Sequence, residues 1–422
     1  MLLLLFVLLF MSAGIPVAWS LGLSSFAFML LKGIPFNALT VVPTTSIGNF
    51  ILVAVPLFIL TGEIMNNGGI TRRIIHFCTV LIGQISGGLA HVNILASIVF
   101  AGMSGSAYGD AAGLGTVLIH AMKKQGYKPE YAAAVTAASS TIGPIVPPSI
   151  AMVIYGSITG TSIGGLFLGG FIPGFLVGGS LILLTWIIGK RNSHPRFNKA
   201  SFLEIIKATL IALPALFLPV LIIWGIVSGW TTPTEAASIA VAYSLLLSVI
   251  IYRELSFKEL WSVFQSSLKR TAGVMMLIAF ASIFGWLAIR EQIPFAIAQY
   301  VLSLSESPII FLLLTNILIL VLGMFMETIA IMLLIVPVLF PVIKLFSIDP
   351  VHFGVVIILN LMIGLVTPPL GICLYIVTDI AKVPFGSVVK ETIPFLIPLV
   401  IVLLLIIIFP SIVLFVPNLF NF

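Results

Sequence analysis

Two short stretches of the 422-residue chain carry the residue types that could strip a small cation of its water. Gly143-Pro144-Ile145-Val146-Pro147-Pro148 comes just after Ser139-Ser140-Thr141, and Gly364-Leu365-Val366-Thr367-Pro368-Pro369 comes just after Asn360. Each proline removes a backbone donor and pushes the residue before it away from helical geometry, so nearby carbonyls lose their helical partners. The flanks are apolar or small enough for membrane helices. Irregular backbone at membrane depth is tolerated only where protein buries it or where it lines a polar cavity. Two further apolar runs break at Ser104-Gly105-Ser106 and between Gly323 and Thr328.

Carbonyls and hydroxyls at such breaks make oxygen cages suited to a hard cation, with helix C-termini favouring cations and N-termini favouring an anionic substrate. The oxygen suppliers of the first half are Ser104, Ser106, Ser139, Ser140, Thr141 and the carbonyls of Gly143 and Val146, beside Pro147. Those of the second half are Gly323, Glu327, Thr328, Asn360, Gly364 and Thr367. Any one hydroxyl is as well explained by a bond to its own backbone or to a neighbouring helix. The two clusters together point to ion or substrate binding. Glu327 and Asp110 are ionisable groups inside apolar sequence, which marks each as functional by default. Glu327 sits at a tip and suits a cation site; Asp110 could equally cap the returning arm of its hairpin.

Enzyme chemistry finds no support. Glu327, Asp110 and His120 are brought together by no motif, the histidines have no metal spacing, and no Gly-x-x-x-x-Gly-Lys loop offers a nucleotide site. Cys78 and Cys373 lie in apolar surroundings and read as packing residues.

The elements that must position these residues are membrane helices. With 60% hydrophobic and 8% charged residues, and a mean hydropathy of +1.27, the chain is an all-α polytopic membrane protein. The formal charge of +6 comes from small basic groups between apolar runs, which fits positive-inside topology and not nucleic acid. The opening Leu2–Leu31 reads as one retained membrane helix, followed by a span over Ile47–Met65. Ile70–Gln84, with Arg72 and Arg73, reads as interfacial. Leu89–Gly102 and Ala111–Met122 are each too short to cross and form a re-entrant hairpin, as do Pro308–Gly323 and Thr328–Ile343. Broken helices follow at Pro129–Ile158 and Pro350–Asp379. Between the first broken helix and the second hairpin lie a Gly-rich span Ile163–Gly189, a short amphipathic piece before Leu210–Ser228, and a helix start at Thr232-Pro233-Thr234-Glu235 that opens a span over Ala236–Tyr252. An interfacial Ser256–Arg270, a span Ala272–Ile289 and a short Phe295–Leu304 complete that region.

Gly143 and Gly364, like Pro147 and Pro368, are 221 positions apart, and the same offset pairs Gly102 with Gly323, Pro129 with Pro350 and Pro173 with Pro394. This register implies duplication, and paired interrupted segments point to the binding site of a secondary transporter. If Ile70–Gln84 and Phe295–Leu304 are interfacial, an odd number of crossings separates the hairpins and the repeats are inverted. All of the 19 lysines and arginines except Lys32, Arg290 and Lys344 then share one face, the cytoplasmic one. A channel built on re-entrant hairpins is the alternative.

Pro56-Leu57-Phe58-Ile59-Leu60-Thr61-Gly62-Glu63-Ile64-Met65, Gly87-Gly88-Leu89-Ala90, Ser104-Gly105-Ser106-Ala107, Ser139 to Ser149, Thr232-Pro233-Thr234-Glu235-Ala236-Ala237 and Gly364 to Gly371 resemble the large membrane subunit of tripartite ATP-independent periplasmic (TRAP) transporters, nearly end to end. The resemblance implies a multi-pass protein of the bacterial inner membrane, of ion-transporter-superfamily type. It implies Na+-coupled uptake of an organic acid, sialic acid or a C4-dicarboxylate, by an elevator movement without nucleotide. It also implies two partners: a small four-helix membrane subunit, expected as a separate chain, and a periplasmic substrate-binding protein. With sodium as the ion, the first site is Ser104, Ser106, Gly143, Val146 and Pro147; the second is Gly323, Glu327, Thr328, Gly364 and Thr367. Ser139, Ser140, Thr141, Asn360 and Asp110 are the substrate candidates. Residues 1–69 would be scaffold helices, 70–190 the first transport repeat, 191–292 central scaffold and arm helices, and 293–422 the second transport repeat with a C-terminal helix.

Overall fold

The computed structural model describes residues 2–192, 194–304 and 306–422, with the side chains of 301–304 left aside; Ser193, in the basic loop, lies outside the described residues. Among the described residues the regular structure is helical, and seven helices are long and apolar enough to cross a membrane.

The opening run is not one span. Gly14 adopts a left-handed φ of 81° and Pro16 removes a donor, so Leu2–Leu31 divides into α1 (Leu2–Ser12) and α2 (Val17–Lys32). α3 (Ala38–Ile47) and a 3-10 turn, Phe50–Val53, precede α4 (Ala54–Asn67), so the second span begins at Phe50 and not at Ile47. α5 (Ile70–Ile82) buries Ile70, Thr71, Ile74 and Cys78 and exposes Arg72; its 13 residues extend only about 20 Å.

The first hairpin is α6 (Gly88–Ser104) and α7 (Ala107–Lys124), and the first broken helix is α8 (Pro129–Ser140) and α9 (Ile150–Thr159). α10 (Ile163–Arg191) uses its glycines for close approach: a Cβ on Gly170 would fall 2.2 Å from the Ile145 carbonyl, and one on Gly174 would fall 2.4 Å from Val146 Cγ2.

The centre of the chain differs from its pattern in two places. The amphipathic piece and the span before Ser228 are one helix, α11 (Phe202–Val227), which passes through Pro214 and Pro219; the Tyr243 hydroxyl donates to the Pro214 carbonyl at 2.9 Å. Ser256–Arg270 and Ala272–Ile289 are likewise a single 34-residue helix, α13 (Phe257–Arg290), because no proline interrupts the join at Thr271. Between them α12 (Pro233–Leu245) starts at the expected Thr232–Glu235 capping box and ends in a π turn, Leu246–Ile251.

α14 (Ile293–Leu304) leads into the second hairpin, α15 (Pro308–Gly323) and α16 (Thr328–Leu345), and the second broken helix, α17 (Pro350–Gly364) and α18 (Ile372–Ala381). α19 (Phe385–Ile408) and α20 (Ser411–Leu419) close the chain. Shifting Ala107–Lys124 by 221 positions lands on Thr328–Leu345, and Pro129 lands on Pro350. The breaks Thr141–Ser149 and Leu365–Gly371 likewise begin and end within a few residues of that offset.

The first arms of the broken helices are the deepest elements. Every residue of α8 from Tyr131 to Ser140 and of α17 from His352 to Gly364 is buried, as expected of helices enclosed on all sides. α8 packs on α7, α18 and α19, and α17 on α15, α10 and α19. The halves interlock: α18 of the second lies on α7 and α8 of the first, while α9 of the first lies on α16 and α17 of the second. α4 packs on α12, α13 and α6, and α13 also covers α2, α3 and α16.

Candidate functional site

The first tip is shaped by Gly105 and Ser106. Gly105 ends α6 with a left-handed φ of 56° and lies so close to the break of α8 that a Cβ would fall 2.7 Å from the Pro148 carbonyl. Ser106 then starts α7, its hydroxyl accepting from the Gly109 amide at 3.3 Å. The capping role left open for Asp110 therefore belongs to Ser106. Asp110 stands in the first turn, where the amide end of the helix favours a negative charge.

Asp110 is 1% exposed. The Ser104 hydroxyl donates to its Oδ1, while Oδ2 has no hydrogen-bond partner and faces Gly143, where a Cβ would stand 2.5 Å away. Among the described residues Asp110 belongs to no ion pair. A buried carboxylate oxygen left bare is costly unless a cation or a proton joins it. Ser104, Ser106, Asp110 and Gly143 thus converge on one point.

The other residues assigned to the first half lie around that point in different ways. Val146 turns its side chain to Gly174 of α10, and the Pro147 carbonyl lies near Gly102 of α6. The hydroxyls of Ser140 and Thr141 donate to the carbonyls of Ala137 and Ala138 at 2.7 and 2.6 Å, which uses their hydrogen and leaves their lone pairs able to coordinate. Ser139 is committed to packing: it donates to Asn93 Oδ1 at 2.9 Å and accepts from Ser97 at 3.0 Å, while Asn93 donates to Thr136 at 2.7 Å. Those bonds tie α6 to α8.

In the second half the Gly323 and Gly364 backbones touch. A Cβ on Gly364 would stand 2.8 Å from Gly323 Cα, so the hairpin lies directly on the break. Glu327 is the N-cap of α16, accepting from the Ala330 amide at 3.1 Å, and Thr328 Oγ1 is buried without a partner. The Thr367 hydroxyl donates to the Ile363 carbonyl at 2.6 Å. Asn360 donates to the carbonyl and to Oδ1 of Asn316, at 2.8 and 2.5 Å, tying α17 to α15, while its own Oδ1 has no partner.

The two tips face one cavity of about 530 Å³, whose lining includes Ser104, Ser106, Tyr108, Glu327 and Thr328. Ser139, Asn360, Gly364 and Thr367 do not line it. The Tyr108 hydroxyl of the first tip lies against Glu327 and Thr328 of the second without the geometry of a formed hydrogen bond. Tyr108 was not among the sequence candidates, although its place between Ser106 and Asp110 was a signal. Nor were Glu63, Lys269 and Arg270, which line the same cavity. Glu63, like Asp110 and Glu327, is an ionisable group within an apolar run.

The family described as "Tripartite ATP-independent periplasmic transporter, DctM component" matches residues 2–412. The chain is 45% identical over 411 residues to the sialic acid TRAP transporter large permease protein SiaM of Vibrio cholerae, covering 97% of this chain and 96% of that one. It is 37% identical over 400 residues to the C4-dicarboxylate TRAP transporter large permease protein DctM of Pseudomonas aeruginosa, covering 94% of each. Among solved structures, the YdaH transporter of Alcanivorax borkumensis superposes with a TM-score of 0.64 over 89% of each chain at 15% identity, a likeness of fold.

Proposed function

From the chain's membership of the DctM-component family of tripartite ATP-independent periplasmic transporters, we propose that it is the large permease subunit of a system importing an organic acid, with Na+ as coupling ion. The observation that carries this reading is the cavity where both hairpin tips meet, with the unpartnered Asp110 Oδ2, Thr328 Oγ1 and Tyr108 hydroxyl at or beside it. Bare buried oxygens are a poor arrangement for the protein alone and a good one for a desolvated cation.

One ion would sit by Ser104, Ser106, Asp110 and the Gly143 carbonyl, and a second by Glu327, Thr328, Gly364 and Thr367. Binding them would neutralise the carboxylates and make the tips receptive to an anion, which is the physical basis of coupled binding. Sialic acid and C4-dicarboxylates are the substrates named for the two relatives, and the acid handled here is proposed to be of one of those types.

The recurrence of helix bounds at an offset of 221 residues supports a duplicated transport unit. In this reading the repeats are inverted, residues 70–190 and 293–422 move as an elevator past a scaffold of 1–69 and 191–292, and the protein resides in the inner membrane. A small membrane subunit would brace the scaffold and a periplasmic binding protein would deliver the acid.

The test is uptake of labelled sialic acid and of labelled succinate into proteoliposomes holding this chain and its small subunit, with the matching binding protein outside. Uptake only with an inward Na+ gradient and binding protein is expected. Equal leakage under every condition would exclude the symporter and favour a channel.

A further inference from the structure

Glu63 and Arg270 form an ion pair of 2.6 Å in the wall of the central cavity. Glu63 belongs to α4, where the preceding Gly62 packs on the backbone of Ser104 at the first tip, and Arg270 belongs to α13. The pair is lopsided: the Glu63 side chain is 11% exposed and that of Arg270 is 55%. A guanidinium carries five N–H donors in a fixed fork, so Arg270 keeps most of its donors turned to open space. Lys269, its neighbour, also lines the cavity and has no carboxylate partner among the described residues. The continuity of α13 through Thr271 brings both cations to the cavity.

The same cavity also meets the carboxylates of the tips. Glu327 lines the cavity and Asp110 stands behind Ser104 and Ser106, so an anion entering before these are neutralised is repelled from the tips and drawn to α13. Glu63 meanwhile occupies one side of the Arg270 fork with a carboxylate of the protein's own.

We propose that Arg270 and Lys269 form a carboxylate subsite on α13 facing the hairpin tips, and that Glu63 holds Arg270 in the empty cavity until a carboxylate of the transported acid replaces it. Glu63 is then a competitor for the substrate anion and a means of releasing it. This inference rests on reading the chain as an organic-acid permease.

The two roles open to the pair predict opposite signs. A purely structural tie between α4 and α13 is weakened alike by Glu63→Gln and by Arg270→Gln. A competing carboxylate gives opposite effects. The full chain in lipid nanodiscs with saturating NaCl is titrated calorimetrically with sialic acid and, separately, with succinate. For whichever acid binds, Arg270→Gln is expected to weaken binding about 10-fold, Arg270→Lys to retain most of it, and Glu63→Gln to tighten it about 3-fold. Lys269→Gln, which touches no ion pair, is expected to weaken it about 3-fold even if the other variants fold poorly. Weakening by both Glu63→Gln and Arg270→Gln, or no effect of Lys269→Gln, overturns the subsite while leaving the transport reading intact. Binding of neither acid by the unsubstituted chain overturns both.

Discussion

The Lys123 ammonium, at the end of the first hairpin, donates a 2.9 Å hydrogen bond to the Ala381 carbonyl, the last residue of α18 in the second half. A positive charge there satisfies an orphan carbonyl and opposes the negative end of the helix dipole. Lys123→Met removes both effects and is expected to lower stability by about 1 kcal/mol. Lys123→Arg should keep most of it. Thermal unfolding of the purified chain in one detergent, followed through tryptophan fluorescence, reads the difference; equal midpoints for Lys123→Met and the parent would mean that the bond contributes nothing.

The contact between Gly323 and Gly364 allows no added carbon. Gly364→Ala places a Cβ 2.8 Å from Gly323 Cα, backbone against backbone, so hairpin and break must part. Overpacking of this kind costs roughly 1–3 kcal/mol and here falls on the residues assigned to the second cation. Transport is expected to drop at least 10-fold. Gly179→Ala, where nothing lies within 4 Å of the added carbon, should transport normally. Equal rates for the two variants would show that the close approach is not needed.

Asp110→Asn retains an acceptor for the Ser104 hydroxyl and removes the charge at the bare oxygen. The chain should fold, and the Na+ concentration for half-maximal uptake should rise at least 10-fold, as expected for loss of a full negative charge beside a desolvated cation. An unchanged Na+ dependence in this variant would remove Asp110 from the ion site.

Ser139 separates a packing role from a substrate role. Ser139→Ala leaves the Asn93 carbonyl oxygen without its 2.9 Å donor, and should cost about 1–2 kcal/mol of stability while the affinity for the acid stays the same. A large loss of affinity at unchanged stability would restore Ser139 to the substrate site.

His194, in the loop that leaves α10, packs against the stacked rings of Tyr127 and Tyr131, at centroid distances of 4.9 and 4.8 Å. Burial, and secondarily the nearby Lys128, hold its pKa below the usual value of 6.5. The unfolded chain therefore binds the proton more readily than the folded one. The stability this neutral histidine contributes is present above pH 6.5 and is lost as pH falls below that value toward the folded pKa. His194→Phe, which keeps an aromatic ring against both tyrosines, should lose part of the fall in thermal midpoint between pH 7.5 and 5.5. A pH profile identical to the parent's would show that this ring does not titrate on unfolding.

The breaks, the tips and the register between the halves are legible in the order of the residues alone. Pro144, Pro147, Pro148, Pro368 and Pro369 act on their own backbone and Gly105 ends its own helix, so their effects are legible without knowing any neighbour. The Thr232–Glu235 cap was equally local. Which polar groups meet, by contrast, depends on how distant helices pack. Ser139 and Asn360 look like Ser104 and Thr328 in sequence, yet two of them tie helices together and two line the cavity, because the outcome depends on partners many residues away. The join at Thr271 carried no stop signal that local charge could supply, and α13 ran through it to set Arg270 against Glu63. Local backbone chemistry placed the oxygens near the breaks; packing between distant segments chose which of them remain bare.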